Sequence, residues 1–172
     1  KKVTVFFSIP FLTNEKSNPF EPYVPVPEVR FRAMKTLADA GIEVGIGIAP
    51  ILLGYNDADI PTLLETAREN GATKAFMGMI HFDTDSIENY FVQKLNEKLP
   101  TKADKILNHI RRERDGNLRH RNYEERGKGK TQEWEVARQL FDLHYKKLGF
   151  ETTEKQPEIV ETKTLPVQQT LF

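Results

Sequence analysis

Leu37-Ala-Asp-Ala-Gly-Ile-Glu-Val-Gly-Ile-Gly-Ile-Ala49 is the stretch that decides the fold. It holds the end of one periodic apolar segment, a glycine placed to stop a helix, and an apolar run from Ile42 to Ala49 interrupted by Glu43 and two glycines. A helix that stops on Gly41 and passes at once into such a strand is half of a βαβ unit. Strands of parallel sheets read as near-continuous apolar runs because both faces are covered. Upstream, Val3-Thr-Val-Phe-Phe-Ser-Ile9 reads as a second strand buried on both faces. A connection rich in proline (Pro10, Pro19, Pro22, Pro25 and Pro27) leads to a helix over Glu28–Ala40, with Val29, Ala33, Met34, Leu37 and Ala38 on one stripe. Pro27 fits near its start, where a missing N–H costs nothing.

Downstream, Pro50–Asp57 reads as a loop, and Asp57 or Asp59 as a cap for a helix whose first turn accepts Pro61. That helix buries Ile60, Leu63, Leu64 and Ala67 and ends at Asn70-Gly71. Thr73–Ile80 is a third strand. Strand, helix, strand, helix, strand with short loops predicts an α/β fold with a parallel sheet. Three strands cannot close a barrel by themselves. Helices are predicted over Ser86–Leu99 (Ile87, Tyr90, Phe91, Leu95), Lys102–Arg114 (Ile106, Leu107, Ile110) and Gln132–Leu148 (Trp134, Ala137, Leu140, Phe141, Leu148). Asp115–Lys130 is polar and reads as loop. The expected organisation is a βαβαβ unit over 1–82, a helical extension over 83–150 and a flexible tail over 151–172, rich in Thr, Glu, Pro and Gln. A strand this close to Lys1 suggests an absent upstream part, with a trimmed terminus as the plainer alternative.

The chain has 25 basic and 25 acidic residues, so whole-molecule charge gives no case for nucleic acid. It has no cysteine, which excludes disulfides, thiolate catalysis and cysteine-held iron–sulfur clusters within these 172 residues. No apolar stretch is long enough to span a bilayer and no signal-peptide pattern opens the chain, so no membrane association and a cytoplasmic location are expected.

Ligands of parallel β/α folds bind at the C-terminal ends of the strands. The rule selects Ser8, then Ala49, Pro50 and Ile51 with Gly54, then Met79, Ile80 and His81. Ser8 can hydrogen-bond a sugar hydroxyl or its own backbone. Gly45 and Gly47 permit close backbone approach or make room for a packed helix. Met79 and Ile80 read either as an apolar floor for a flat base or as core. His81, with Asp83 nearby, is the candidate for proton transfer, against the alternative of a surface or loop-capping histidine.

The runs Ser8-Ile-Pro-Phe11, Phe20-Glu-Pro22, Pro25-Val-Pro27, Leu37–Ile42 and Ala49-Pro-Ile-Leu-Leu-Gly-Tyr-Asn-Asp57 resemble the second half of radical S-adenosylmethionine (SAM) proteins. The likeness is strongest to the branch related to spore photoproduct lyase, the DNA repair photolyase-like proteins. Lys105-Ile-Leu-Asn-His-Ile-Arg111, Gly116-Asn-Leu118, Tyr123 and Arg126–Gly129 continue it, so that it covers about residues 3–150. The resemblance implies the C-terminal part of a partial parallel (β/α) barrel carrying SAM and a [4Fe–4S] cluster. It also implies reductive cleavage of SAM to a 5′-deoxyadenosyl radical that abstracts hydrogen from a substrate, here nucleic acid. The cluster cysteines of that family lie upstream of the part present here, in an N-terminal half, so this chain alone is not an enzyme and its metal ligands are none. Ser8 falls at the fourth-strand position facing the SAM ribose, Ala49–Ile51 at the fifth-strand motif beside the adenine, and Met79–His81 at the sixth-strand adenine contact. The chain departs from the family at Tyr23, where arginine usually follows the Glu-Pro pair, and near His81, where arginine is common. Two other functions stay open: a radical SAM enzyme acting on a small molecule or peptide, and a non-catalytic binding module.

From Lys105 to Lys130, nine basic residues face four acidic ones. Arg111, Arg112, Arg114, Arg119, Arg121, Arg126 and Lys128 are candidate phosphate contacts, with Tyr123 available to stack on a base. A solvated helix face and polar loop is the alternative reading. The last five residues, Gln168-Gln-Thr-Leu-Phe172, resemble the bacterial sliding-clamp binding motif, with Gln168, Leu171 and Phe172 as anchors on a tether. Chance occurrence of so short a motif stands beside that reading.

Overall fold

The computed structural model describes residues 3–119 and 127–151. Strands β1 (Thr4–Ser8), β2 (Glu43–Ile51) and β3 (Lys74–Met79) form one sheet in the order β1-β2-β3. Both pairings are parallel. Ser8 stands opposite Gly47, and Ile51 opposite Met79, so the three C-terminal ends share one edge of the molecule. β2 continues through Pro50 to Ile51, with the register shifting between Ile48 and Ile51 and a cis peptide at Ala49–Pro50. Pro50 and Ile51 therefore belong to the strand and not to the loop expected there.

Helices α2 (Pro27–Asp39) and α3 (Ile60–Glu69) make the two crossovers. Pro27 opens α2 in its first turn, and Gly41, at φ 78°, ends the helix as its spacing predicts. The Ile42 amide reaches back to the Leu37 carbonyl at 3.0 Å. α3 buries Ile60, Leu63, Leu64 and Ala67, the four residues its periodicity selects. In α2 the buried stripe is rotated from the expected one: Arg30, Phe31 and Met34 point inward, while Val29 is exposed. Apolar periodicity missed this because the inward position beside Phe31 is filled by an arginine. Neither Asp57 nor Asp59 caps α3 through its side chain; Asp57 Oδ1 accepts from the Gly54 amide at 2.7 Å.

α4 (Asp85–Lys98), α5 (Ala103–Arg112) and α6 (Gln132–Lys147) follow. The expected helix over Lys102–Arg114 stops two residues early, and the next two side chains, Glu113 and Arg114, turn inward. α6 packs on α3 and α4 on α5. One apolar core joins Ile9, Met34, Ile46, Ile48 and Leu64 to Ile106, Trp134, Phe141 and Phe150, so it runs through both the βαβαβ unit and the helical extension. Each fully buried side chain of this size contributes about 1.5–3 kcal/mol.

The sheet is covered on one face only. Val44, Ile46 and Ile48 are fully buried. Because side chains alternate along a strand, Phe6, Ser8, Gly45, Gly47 and Phe76 share the other face. Phe6 is 44% and Phe76 49% exposed, and their rings lie 5.4 Å apart. β1 is thus an edge strand with one open face, and not a strand buried on both. The two glycines neither receive a helix nor lie open: a Cβ on Gly45 would come within 2.5 Å of the Phe6 ring, and one on Gly47 within 2.6 Å of Phe76. Their role is to let two aromatic rings approach the β2 backbone closely.

Candidate functional site: the C-terminal rim of the sheet

The connection after β1, expected as plain loop, contains a short helix α1 (Asn14–Ser17). The Thr13 side chain accepts from the Lys16 amide at its start. Two buried polar side chains hold this connection against the strand ends. Arg30 donates to the Ser8 carbonyl at 2.7 Å and to Glu21 Oε2 at 2.7 Å, and reaches Ser17 Oγ at 3.3 Å. Asn56, with no exposed surface, donates to the carbonyls of Pro10 at 2.8 Å and Pro50 at 3.0 Å, and accepts from the Leu52 amide at 2.7 Å. One amide side chain therefore joins the end of β1 to the end of β2. Tyr55 adds a bond to the Lys16 carbonyl at 3.1 Å. Burial, and then the charges of Glu15 and Asp59, push the Tyr55 phenol above its usual pKa.

The rim residues named from sequence divide into two groups. Ser8 and His81 are exposed, and Ala49 and Pro50 are half-buried. Ser8 Oγ lies 3.4 Å from the Ala49 carbonyl, so the first two strand ends are side by side. Ile51, Met79 and Ile80 are buried. Ile51 and Met79 pack with Ile110 and Glu113 of α5 and its C-terminal end, which covers the ends of β2 and β3. The main chain there is also committed. The Met79 amide donates to Gly127 O at 2.9 Å, the Ile80 amide to Ile51 O at 3.2 Å, and the Ile80 carbonyl accepts from Arg114.

Arg114 is the clearest departure from the proposed phosphate contacts. It is 2% exposed and donates to the carbonyls of Leu118 and Ile80, so it cannot face a nucleic acid. Desolvation lowers its pKa to about 10, opposed by the nearby Glu113 and Glu88. Glu113 is itself buried and accepts from the Lys130 amide at 2.7 Å, the Thr131 amide at 2.8 Å and the Thr131 hydroxyl, fixing the entry to α6. These two adjacent charges tie the basic segment to the sheet. Arg112 pairs with Glu133 at 3.2 Å, Arg119 with Asp85 at 2.6 Å, and Arg111 bonds Asn108 at 3.1 Å. Lys128 is exposed. Arg121, Tyr123 and Arg126, like Gln168, Leu171 and Phe172, lie outside the described residues.

Beside this rim the loop after β1 and helix α4 enclose a cleft of about 390 Å³. Phe20, Ile80, His81, Phe82, Phe91 and the two lysines Lys94 and Lys98 line it. Phe20 and Phe91 stack at 6.1 Å and 27°, and Phe82 lies 5.0 Å from Phe91. The alternation of Ile87, Tyr90, Phe91 and Leu95 predicts α4 as a core helix. Only Leu95 is fully buried; Ile87 and Tyr90 are exposed around the cleft. Periodicity identifies an apolar face but not what it faces.

Among the described residues no group of three or more His, Cys, Asp or Glu side chains can hold a metal ion, and no helix is long and apolar enough to cross a membrane. As a seat for SAM, the rim fits at Ser8 and Ala49–Pro50, which a ligand can reach. It does not fit at Ile51, Met79 and Ile80, which α5 and Arg114 cover. A [4Fe–4S] cluster has no cysteine ligand anywhere in the chain. Comparison with protein-family models, with curated proteins and with solved structures finds no match.

Proposed function

We propose that this chain is the C-terminal part of a partial parallel β/α barrel of the radical SAM type, whose intact form acts on nucleic acid in the manner of the spore photoproduct lyase-related proteins. One observation carries the reading: three parallel strands in sequential order bring Ser8, Ala49–Ile51 and Met79–His81 to one rim. The open sheet face, with Phe6 and Phe76 exposed, is the surface a further barrel wall would cover. SAM and a [4Fe–4S] cluster would supply hydrogen-atom abstraction in the intact protein. The residues of this chain would contribute position and shielding, Ser8 toward the ribose, Ala49–Pro50 toward the adenine and His81 toward the substrate.

A second reading, the non-catalytic binding module, is favoured by the covered ends of β2 and β3 and by the absence of cysteine. Amide NMR of the isotope-labelled chain titrated with SAM separates the two. The barrel reading predicts shifts at Ser8, Ala49 and His81. A spectrum unchanged at those three amides up to the solubility limit of SAM removes it in favour of the module.

A further inference from the structure

The cleft between the β1–α2 loop and α4 exposes more aromatic surface than the fold itself uses. Tyr23 is 97% and Tyr90 62% exposed, and both line the cleft with the stacked pair Phe20 and Phe91. Its volume of about 390 Å³ lies in the range of small-ligand sites. Tyr90, Lys94 and Lys98 are spaced four residues apart and so rise along one side of α4. Lys94 Nζ stands 5.9 Å over the Tyr90 ring. Both lysines reach the same carboxylate, Glu97, at 2.7 and 3.9 Å. Two ammonium groups against one carboxylate leave a positive charge beside a set of aromatic faces.

We infer that this cleft is a nucleotide site, in which the aromatic side chains Phe20, Tyr23, Tyr90 and Phe91 take a base by stacking and Lys94 and Lys98 take its phosphate. Stacking uses the π-face common to all bases, and the phosphate supplies a second anion to two lysines that share one carboxylate. A purely apolar ligand would leave the excess of one positive charge over the shared Glu97 carboxylate unmatched. The N-terminal end of the same helix is paired with the basic segment, through Arg119 and Asp85 at 2.6 Å, which gives a strand's neighbouring phosphates a direction to follow. The inference rests on the proposed nucleic-acid substrate for its biological setting, but its chemistry is read from the cleft.

The test is amide NMR of the full chain titrated separately with thymidine, thymidine monophosphate and a short oligothymidylate. Thymidine monophosphate is expected to shift Tyr90, Phe91 and Lys94 and to bind at least about threefold more tightly than thymidine. The double substitution K94Q/K98Q should erase that difference, and Y90A should weaken both ligands about tenfold. All three positions are solvent-facing, and unchanged thermal unfolding of the variants verifies that they fold. Tighter binding of the oligothymidylate assigns the site to a strand; equal binding assigns it to a free nucleotide. Equal affinities for thymidine and its monophosphate, or shifts elsewhere than α4, overturn the inference. A response to SAM at Ser8 and Ala49 with none to thymidine monophosphate defeats this site and leaves the barrel reading standing. The reverse pattern does the opposite.

Discussion

Asn56→Ala is expected to lower the stability of the chain by about 4 kcal/mol. The side chain is fully buried and makes three hydrogen bonds, all to main-chain groups. Truncation leaves the Leu52 amide and the Pro10 and Pro50 carbonyls without their partner, and each unsatisfied buried group costs about 1–3 kcal/mol. Relaxation recovers some of that sum. Because proteins of this size are stable by only about 5–15 kcal/mol, the loss is a large fraction of the whole. Urea unfolding read by far-ultraviolet circular dichroism measures it as a fall in midpoint at unchanged slope. Asn56→Asp should be no better at neutral pH. Its carboxylate can still accept from the Leu52 amide but would face two carbonyl oxygens. A loss under 1 kcal/mol for Asn56→Ala would show that the ends of β1 and β2 are held together by something other than this residue.

Arg30→Met is expected to cost about 3 kcal/mol. Methionine keeps most of the apolar stem in the core but withdraws the guanidinium from the Ser8 carbonyl, Glu21 and Ser17. Part of the cost comes from Glu21, whose half-buried carboxylate loses its cation. Removing that charge as well should therefore return part of the stability. The double variant Arg30→Met/Glu21→Gln is predicted to unfold at higher urea than Arg30→Met alone, a coupling that a double-mutant cycle reads directly. Arg30→Lys should not rescue, since one ammonium cannot bridge a carbonyl and a carboxylate in the way a planar fork does. Strict additivity in the cycle would mean that Arg30 acts through packing alone.

Both residues were invisible to pattern reading for the same reason. Apolar periodicity finds faces that turn away from water, and it located all four buried residues of α3 and the parallel order of the sheet. It treats a buried arginine or asparagine as a surface position, so the stripe of α2 was rotated by one residue and the tie at Asn56 was missed. The proline-rich connection hid a further element: α1 is only one turn long, and only Thr13 at its N-cap marks it. Local sequence also carried no sign that α5 returns over the ends of β2 and β3. That return is a tertiary event, and it turns Ile51, Met79 and Ile80 from candidate ligand contacts into core. Arg114 changes meaning in the same way. In a run of basic residues it reads as a phosphate contact, yet its partners are the carbonyls of Ile80 and Leu118. Ser8, Ala49, Pro50 and His81 lie where the strand-end rule places them, because that rule depends only on strand direction and crossover.

The aromatic cleft illustrates a further limit. Ile87 and Tyr90 fit a helical stripe with Phe91 and Leu95, and a stripe of that kind ordinarily meets another element. Here α4 leans on α5 along part of its apolar surface and leaves the rest open beside Phe20. The information that distinguishes a core face from a binding face lies in the loop after β1, more than sixty residues away in sequence, and its approach is set by the Arg30–Glu21 pair.

Whether the open sheet is one wall of a larger barrel is most directly tested by the coding sequence upstream of Lys1. An N-terminal half that supplies the cluster predicts a continuous reading frame with alternating strands and helices and a Cys-x3-Cys-x2-Cys run. An initiation codon immediately before Lys1, with no such cysteine run encoded ahead of it, would contradict the radical SAM assignment and leave a three-stranded binding domain.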